Sequence, residues 1–527
     1  MNQVEILLIG LLVAVVGLSA LARVLAVPYP IVLVLGGAVL GFIPGLPEVR
    51  LEPEVVLIIF LPPLLYGEAI FANWGDFRAD VGWLGLNAVA LVLVTMCAVA
   101  VVAHALIDGL PWAACFVLGA VVSPTDPLAA AGIMGRLGAP RRLVSAVQGE
   151  GLFNDATALV AYRVAVAAAV AGSFSLADAG LKFVLGALGG VAIGLAVGWI
   201  AEQVRKRTAD VQVNVTTSLL TGYAAYIPAD AIGASGVLAA VTAGIFMGIR
   251  GPRSLPALTR LQGSFVWDIV DFVVNAILFV LIGLQLRSVI DGISGIAAGT
   301  LAGYAIAVTG VVIATRVAWF LLVPLAVWAI DPRPGAGTTG VRASGRLVVA
   351  WPGMRGAVSL AVALAIPLTT NAGQRVPQRD LIIFLTFAVI FATLIGQGLT
   401  LPALLRRLGV RDEASDAEEE IRGRLIATKA ALGELDALAE EDWTREDTIK
   451  RLRRFYEFRQ RRFAARAGKI EDTGYEDRTL AYQHTLQRVL VAQRAALLQL
   501  RDDGQLSNAA MNRIMRELDL EESRLEI

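Results

Sequence analysis

Cysteine and histidine are nearly missing, with two of each in 527 residues. Cys97 and Cys115 both lie in apolar stretches, so a disulfide framework is excluded and both read as small buried hydrophobes. No His-Glu-x-x-His pair occurs, which removes the usual zinc protease, and His104 is the only histidine in the apolar part of the chain. Lysine is almost as rare, five residues against 40 arginines. Net charge is zero, so nothing in the charge balance points to nucleic acid. No nucleotide-binding motif is recognisable, and no cofactor is expected. No basic stretch precedes the first apolar run. Met1-Asn2-Gln3-Val4-Glu5 leads straight into it, which argues for a first transmembrane helix over a cleaved signal peptide.

Charge is also scarce, and unevenly so. Residues 1–411 hold 45 charged side chains, and residues 412–527, little more than a quarter as long, hold another 45. This predicts a membrane domain over 1–411 and a charged, helical cytoplasmic domain over 412–527. A bilayer takes ~20 apolar residues per helix. Thirteen spans fit, near 4–25, 28–44, 53–72, 82–107, 111–135, 143–171, 180–203, 212–229, 231–249, 264–286, 293–328, 347–370 and 380–404. The second and eighth are short, and the eleventh is long enough to tilt or to hide a break. Loops and span ends after odd-numbered spans carry seventeen Arg and Lys, against five after even-numbered ones. That positive-inside bias places the N-terminus outside and the C-terminus in the cytoplasm.

Two spans contain helix breakers. The fifth has Ser123-Pro124-Thr125-Asp126-Pro127, where neither proline can donate a backbone N–H. The twelfth has Trp351-Pro352-Gly353-Met354-Arg355-Gly356, a second breaker cluster with a cation in it. Open backbone at membrane depth survives only against protein or a water-filled cavity. If spans 1–6 and 8–13 are two inverted six-helix repeats, both breaks fall in the fifth helix of a repeat. Paired interruptions at matching positions point to a transport site at the midplane.

Carboxylates at bilayer depth are costly, ~2.5–3.5 kcal/mol on the mildest scale, and so mark function. Glu150 and Asp155 are such a pair in the sixth span. On a helix Glu150 lies over Asn154 and Gly151 lies over Asp155. Glu150 and Asp155 themselves are ~140° apart and cannot share a proton. Glu150 is then free to hold the Asn154 amide and to pair with a cation, for which Arg355 is the natural candidate. Asp155 is left to face a cavity, with Gly151 clearing space above it. A partly desolvated carboxylate can take up and release a proton, and it is also a hard oxygen ligand for a small cation. The plainer alternative is that Arg163 or another buried base simply neutralises Asp155.

The chain resembles the monovalent cation–proton antiporters, on the electroneutral sodium/proton exchanger branch with many bacterial members. Four segments carry the resemblance: Phe60-Leu-Pro-Pro-Leu-Leu65, Ser123-Pro-Thr-Asp-Pro127, Gly149-Glu-Gly-Leu-Phe-Asn-Asp155 and Gly353-Met-Arg-Gly-Ala-Val-Ser-Leu360. The resemblance implies an all-α membrane fold of about thirteen helices in two inverted repeats, usually dimeric, with spans 5 and 12 crossing beside the ion site. It further implies that Asp155 binds ion and proton in competition. Asp126 and the Thr125 backbone would help to line the site, and Glu150 would pair with Arg355. The transported Na+ or K+ would then meet Asp155 and Asp126. The Asn154-Asp155 pair, in place of two aspartates, goes with one-for-one electroneutral exchange. Many relatives carry Ser where this chain has Gly151, which leaves the choice among Na+, K+ and Li+ open. The expected role is pH and sodium homeostasis at the plasma membrane.

Two other functional classes are open to the same sequence. A passive cation channel would use the same polar residues without proton competition. An intramembrane serine protease would use Gly233-Ala-Ser-Gly236 with His104 as base, arriving from a distant helix. Glu68, Asp268, Asp271 and Arg316 also lie in or near apolar spans. Asp268 and Asp271 share a helix face with Asn275 as a second polar stripe. Each of the four is either a vestibule group or half of a structural ion pair, with pairing the expectation. In the tail, amphipathic helices should pack on one another or on a partner subunit. The stretch Arg451–Arg466, with seven arginines, reads as a solvated face with intrahelical ion pairs, the alternative being contact with anionic lipid.

Overall fold

The computed structural model describes residues 3–25, 27–44, 53–72, 81–171, 176–208, 210–293, 295–330, 343–410 and 415–525. Several arginines counted in the loop comparison, among them those at 50, 78, 333, 342 and 411, lie outside the described residues. The chain divides into two compact units, Met1–Arg411 and Asp412–Ile527. Among the described residues both are helical, and an isolated bridge between Thr369 and Arg375 is the only β pairing.

In the first unit the helices are α1 (Gln3–Leu25), α2 (Tyr29–Gly41), α3 (Pro53–Phe71) and α4, which runs Val81–Leu86, through a π-helical turn at Asn87–Leu91, and on through Val92–Leu106. Next come α5 (Trp112–Val122), α6 (Pro127–Arg136), α7 (Arg141–Ala171), α8 (Leu176–Lys206), α9 (Val211–Ala231), α10 (Gly236–Ser254), α11 (Ala257–Leu284), the short α12 (Leu286–Gly292) and α13 (Ala298–Ile330). The unit ends with α14 (Ala343–Ala350), α15 (Ala357–Leu364) and α16 (Arg379–Leu408), which contains a second π turn at Thr393–Gln397. Six helices among the described residues are long and apolar enough to cross a membrane, and five shorter ones are apolar as well. The long eleventh span is one uninterrupted helix, α13, with Pro324 inside it.

Both breaker clusters interrupt the helix, as proline chemistry demands: α5 stops at Val122 and α6 resumes at Pro127, while α14 stops at Ala350 and α15 resumes at Ala357. Proline acts differently in α3, which continues through Pro62 and Pro63. Pro63 cannot donate to the Ile59 carbonyl four residues back, and the Tyr223 hydroxyl on α9 donates to that carbonyl instead, at 2.8 Å.

Glycines set how closely the helices approach. A Cβ on Gly194 of α8 would run into the α10 backbone and one on Gly190 into the carbonyl of Ser235, just before α10, while one on Gly248 of α10 would run into the Ile70 carbonyl of α3. Backbone contact of this kind is how helices pack tightly where lipid offers no hydrophobic drive between them. Of the two cysteines, Cys115 is buried on α5, whereas Cys97 is exposed on α4.

The second unit holds α17 (Ser415–Leu438), α18 (Glu446–Arg466), α19 (Tyr475–Asp502) and α20 (Asn508–Glu522). Its arginines form ion pairs between helices more than within them. Arg453 reaches Asp436 at 2.5 Å, Arg462 and Arg466 both clasp Glu476, and Arg494 holds Asp519 and Glu522. The expectation of intrahelical pairing along Arg451–Arg466 is therefore corrected at Arg453, Arg462 and Arg466, because α17 brings Asp436 to α18 and the turn at Gly474 brings Glu476 of α19 to it.

Candidate functional site

The two interruptions meet. The backbone N–H of Asp126 donates to the Met354 carbonyl at 2.8 Å, joining one break to the other. Each break leaves helix-end carbonyls without partners, and a buried arginine satisfies them at both. Arg355 donates from Nε to Val122 O, the last carbonyl of α5, at 2.9 Å, and it also bonds the Gly353 carbonyl. Arg316 on α13 donates from Nε to Ala350 O at 2.9 Å and from Nη2 to Val349 O at 3.0 Å, capping α14. Cations favour helix C-termini for the same reason. Gly353 fits between the two guanidinium groups, with room for no side chain. The Arg355 backbone N–H is held by Thr393 Oγ1 at 3.1 Å, at the π turn of α16, and π turns recur at functional sites.

The partner expected for Glu150 is corrected here. Its carboxylate is taken by Arg316, through Nη1 to Oε1 and through Nη2 to Oε2 at 3.0 Å, with both side chains about 2% exposed. Arg355 is directed to backbone carbonyls, because the α5 terminus needs a cation and α13 already brings one to Glu150. The helical neighbour relation holds: Asn154 Nδ2 donates to Glu150 Oε1 at 3.2 Å and to Thr125 Oγ1 at 3.3 Å. The chain Arg316–Glu150–Asn154–Thr125 therefore ties α13, α7 and the first break together. Asn154 Oδ1 remains buried with no partner.

Asp155, 4% exposed, lines a small cavity of about 20 Å3 with Asp126, Thr125, Pro124, Pro127 and Gly356. That volume suits about one water or one bare cation. Asp126 immediately precedes α6, and its carboxylate lies against Gly356, the N-cap of α15; any Cβ at that glycine would collide with it. Two half-helix N-termini thus converge on one aspartate, and their partial positive charge favours an anion there. Pro352 is buried in the second break, between the Ala350 carbonyl bonded by Arg316 and the Gly353 carbonyl bonded by Arg355.

Glu68 was expected to be in a structural pair but lines this cavity too, and its Oε2 is buried without a partner. Glu68 and Pro127 also line a larger adjoining cavity of about 260 Å3, together with Asp268 and Asp271. Asp271 accepts from Asn275 Nδ2 at 3.0 Å, and among the described residues neither aspartate has a cationic partner. The polar stripe on α11 is thus the wall of a vestibule rather than a set of ion pairs. Among the described residues no group of three or more His, Cys, Asp or Glu could hold a metal ion.

Gly151 does not open space above Asp155. A Cβ there would lie 2.6 Å from the Pro127 ring, so the glycine lets α6 rest on α7. Arg163 leaves Asp155 alone: it pairs with Asp230 on α9 and donates to Ala234 O at 3.2 Å. The protease alternative fails on geometry. Ser235 Oγ accepts from Leu238 N as the N-cap of α10, and His104 bonds the Leu110 carbonyl while stacking on Trp112.

The sequence profile described as sodium/hydrogen exchanger, transmembrane, matches residues 10–407. An uncharacterised Na+/H+ exchanger of Mycobacterium tuberculosis is 36% identical over 524 residues, covering 99% of this chain and 96% of the relative. A sodium, potassium, lithium and rubidium/H+ antiporter of Bacillus subtilis is 32% identical over 415 residues, 76% of this chain and 61% of the relative. The solved sodium proton antiporter MjNhaP1 from Methanocaldococcus jannaschii shares the fold, with a TM-score of 0.57 at 19% identity over 77% of this chain and 99% of that one. The chain belongs to the transmembrane sodium/hydrogen exchanger family.

Proposed function

We propose that this protein is a secondary active antiporter exchanging Na+, with K+ and Li+ as alternative cargo, for H+ by alternating access. The observation that carries the reading is the cavity at the helix crossing, with room for one small ion, lined by Asp155, Asp126 and Glu68 and sharing Glu68 and Pro127 with a larger acidic cavity. Asp155 is the exchanging group: a carboxylate that binds either a proton or a cation couples the two fluxes. One charge traded for one moves no net charge. Asp126, Thr125 and the free Oδ1 of Asn154 supply further oxygen ligands, which suit a hard cation. Arg316–Glu150 and Arg355 hold the crossing rigid around them. In the same reading the N-terminus lies outside and the C-terminus in the cytoplasm of a plasma-membrane protein. A homodimer is the working unit, and residues 412–527 regulate it.

The test follows an internal pH dye in proteoliposomes as Na+, K+ or Li+ is added, with the membrane potential clamped at zero. Cation-dependent proton flux is expected in the wild type. Its loss is expected in Asp155→Asn at unchanged melting temperature. Cation flux without coupled proton movement would instead identify a channel, and full exchange by Asp155→Asn would remove Asp155 from the mechanism.

A further inference from the structure

Another cavity, of about 180 Å3, lies in the first unit, walled by α3, α9, α10 and α11 and by Arg205 near the end of α8. Arg205 is only 7% exposed, yet its Nε and Nη1 have no hydrogen-bond partner. Among the described residues no carboxylate pairs with it. Glu202, one turn earlier, places its Oε1 on Lys206 at 2.8 Å and Arg250 at 3.5 Å. Thr259 Oγ1 on α11, in the wall of the same cavity, is likewise buried and unpartnered. Arg260 adds a second guanidinium at the exposed edge, with Nη1 on the Leu255 carbonyl at 2.6 Å. The rest of the lining is largely apolar, including Ile70, Val215 and Met247.

A buried cation left without an anion is among the costliest features a fold can carry, and an apolar residue of similar volume would remove the cost. The combination of unsatisfied guanidinium donors, a free hydroxyl and a second arginine at the rim matches the planar, multidentate recognition of a phosphate group. We propose that this cavity binds a phosphate group through Arg205, Thr259 and Arg260. The phosphate is carried by an anionic phospholipid or by a free phosphate. The apolar lining, and a position at the end of the 27-residue apolar stretch Gly180–Lys206, favour the lipid source. Basic groups at such span ends are where anionic headgroups are met. The site is also placed to act on transport. Phe71 and Trp267 line both this cavity and the acidic vestibule, and Trp267 Nε1 donates to Ser218 Oγ at 3.1 Å within the same wall. The binding claim itself does not depend on the transport reading.

The test is thermal melting of the full-length protein in detergent at fixed ionic strength, with phosphatidylglycerol, phosphatidylcholine or inorganic phosphate added. A ligand of the folded state gives a saturable rise, here about 2 °C or more at excess ligand. A rise with phosphatidylglycerol alone supports the lipid source, and a rise with inorganic phosphate as well supports free phosphate. Both rises should vanish in Arg205→Leu and shrink in Arg260→Ala and Thr259→Val. Arg205→Leu without ligand should melt no lower than the wild type, because it removes an unpaired buried charge. No rise with either anion overturns the proposal. So does an equal rise with phosphatidylcholine, a rise that survives Arg205→Leu, or a marked loss of stability in unliganded Arg205→Leu.

Discussion

At the scale of single residues, Gly151 has its place because of a ring and not because of an ion. Its α-carbon faces Pro127, the first residue of α6, so any side chain there must push the half-helix that follows the aspartate of the first break. Gly151→Ser is expected to lower the melting temperature, at a cost of ~1–3 kcal/mol for overpacking a rigid neighbour. Proteoliposome flux should fall with it, since Pro127 also walls the small cavity beside Asp155. Unchanged melting would mean that α6 moves aside freely. Asp155 and Glu150 were legible for a simpler reason: a lone carboxylate in an apolar stretch has few explanations. The partner of Glu150 was not legible. Arg316 and Arg355 are both single cations in apolar spans, and their distance along the chain from Glu150 says nothing about which one arrives there.

At the scale of elements, the crossing is built from four half-helices whose two C-terminal ends are each closed by an arginine. Both breaks could be read from their prolines and glycines, because a missing N–H donor is a local fact. The direction of each arginine depends on which helix ends meet, a tertiary fact. Arg316 serves two ends of one problem, the α14 carbonyls and the Glu150 carboxylate. Arg316→Met and Glu150→Gln, each alone, should therefore cost ~3–5 kcal/mol by stranding a buried partner. The yield of folded, monodisperse protein is the measurement. The double replacement Glu150→Leu with Arg316→Met should recover part of that yield. No recovery would assign the loss to the uncapped α14 terminus. The same distinction explains Glu68: its position near the end of α3 was plain, but its place in the cavity beside Asp155 required α7 and α15 to be set beside it.

For the whole molecule, the boundary between units falls where charge density jumps, and the helical character of both was readable from periodicity. Inside the second unit the pattern of pairing was not. Arg462 and Arg466 converge on Glu476 across the turn at Gly474, and their hydrogen bonds hold its carboxyl down at about 2. A carboxylate depressed in the folded state adds stability that is present above its ordinary titration range, near 4.5, and is lost as pH falls through about 2. Hydrogen exchange at the α18–α19 junction of the full-length protein should therefore be faster in Glu476→Gln than in wild type at neutral pH. The difference should close as the pH is lowered from about 4.5 toward 2. An equal difference at both ends of that range would assign the effect to packing instead of charge.

The ion pair between Arg163 and Asp230 joins the helix that carries Asp155 to α9, and both its side chains are more than a third exposed. If α7 moves past its neighbours during each turnover, this clasp must open and reclose every time, with both side chains partly exposed. Dissolved salt weakens such a pair whatever the salt is. The turnover rate should then respond to ionic strength even when an inert, untransported salt supplies it, and Asp230→Asn should remove that response. The exchanger would sense how concentrated its surroundings are as well as which ions they contain.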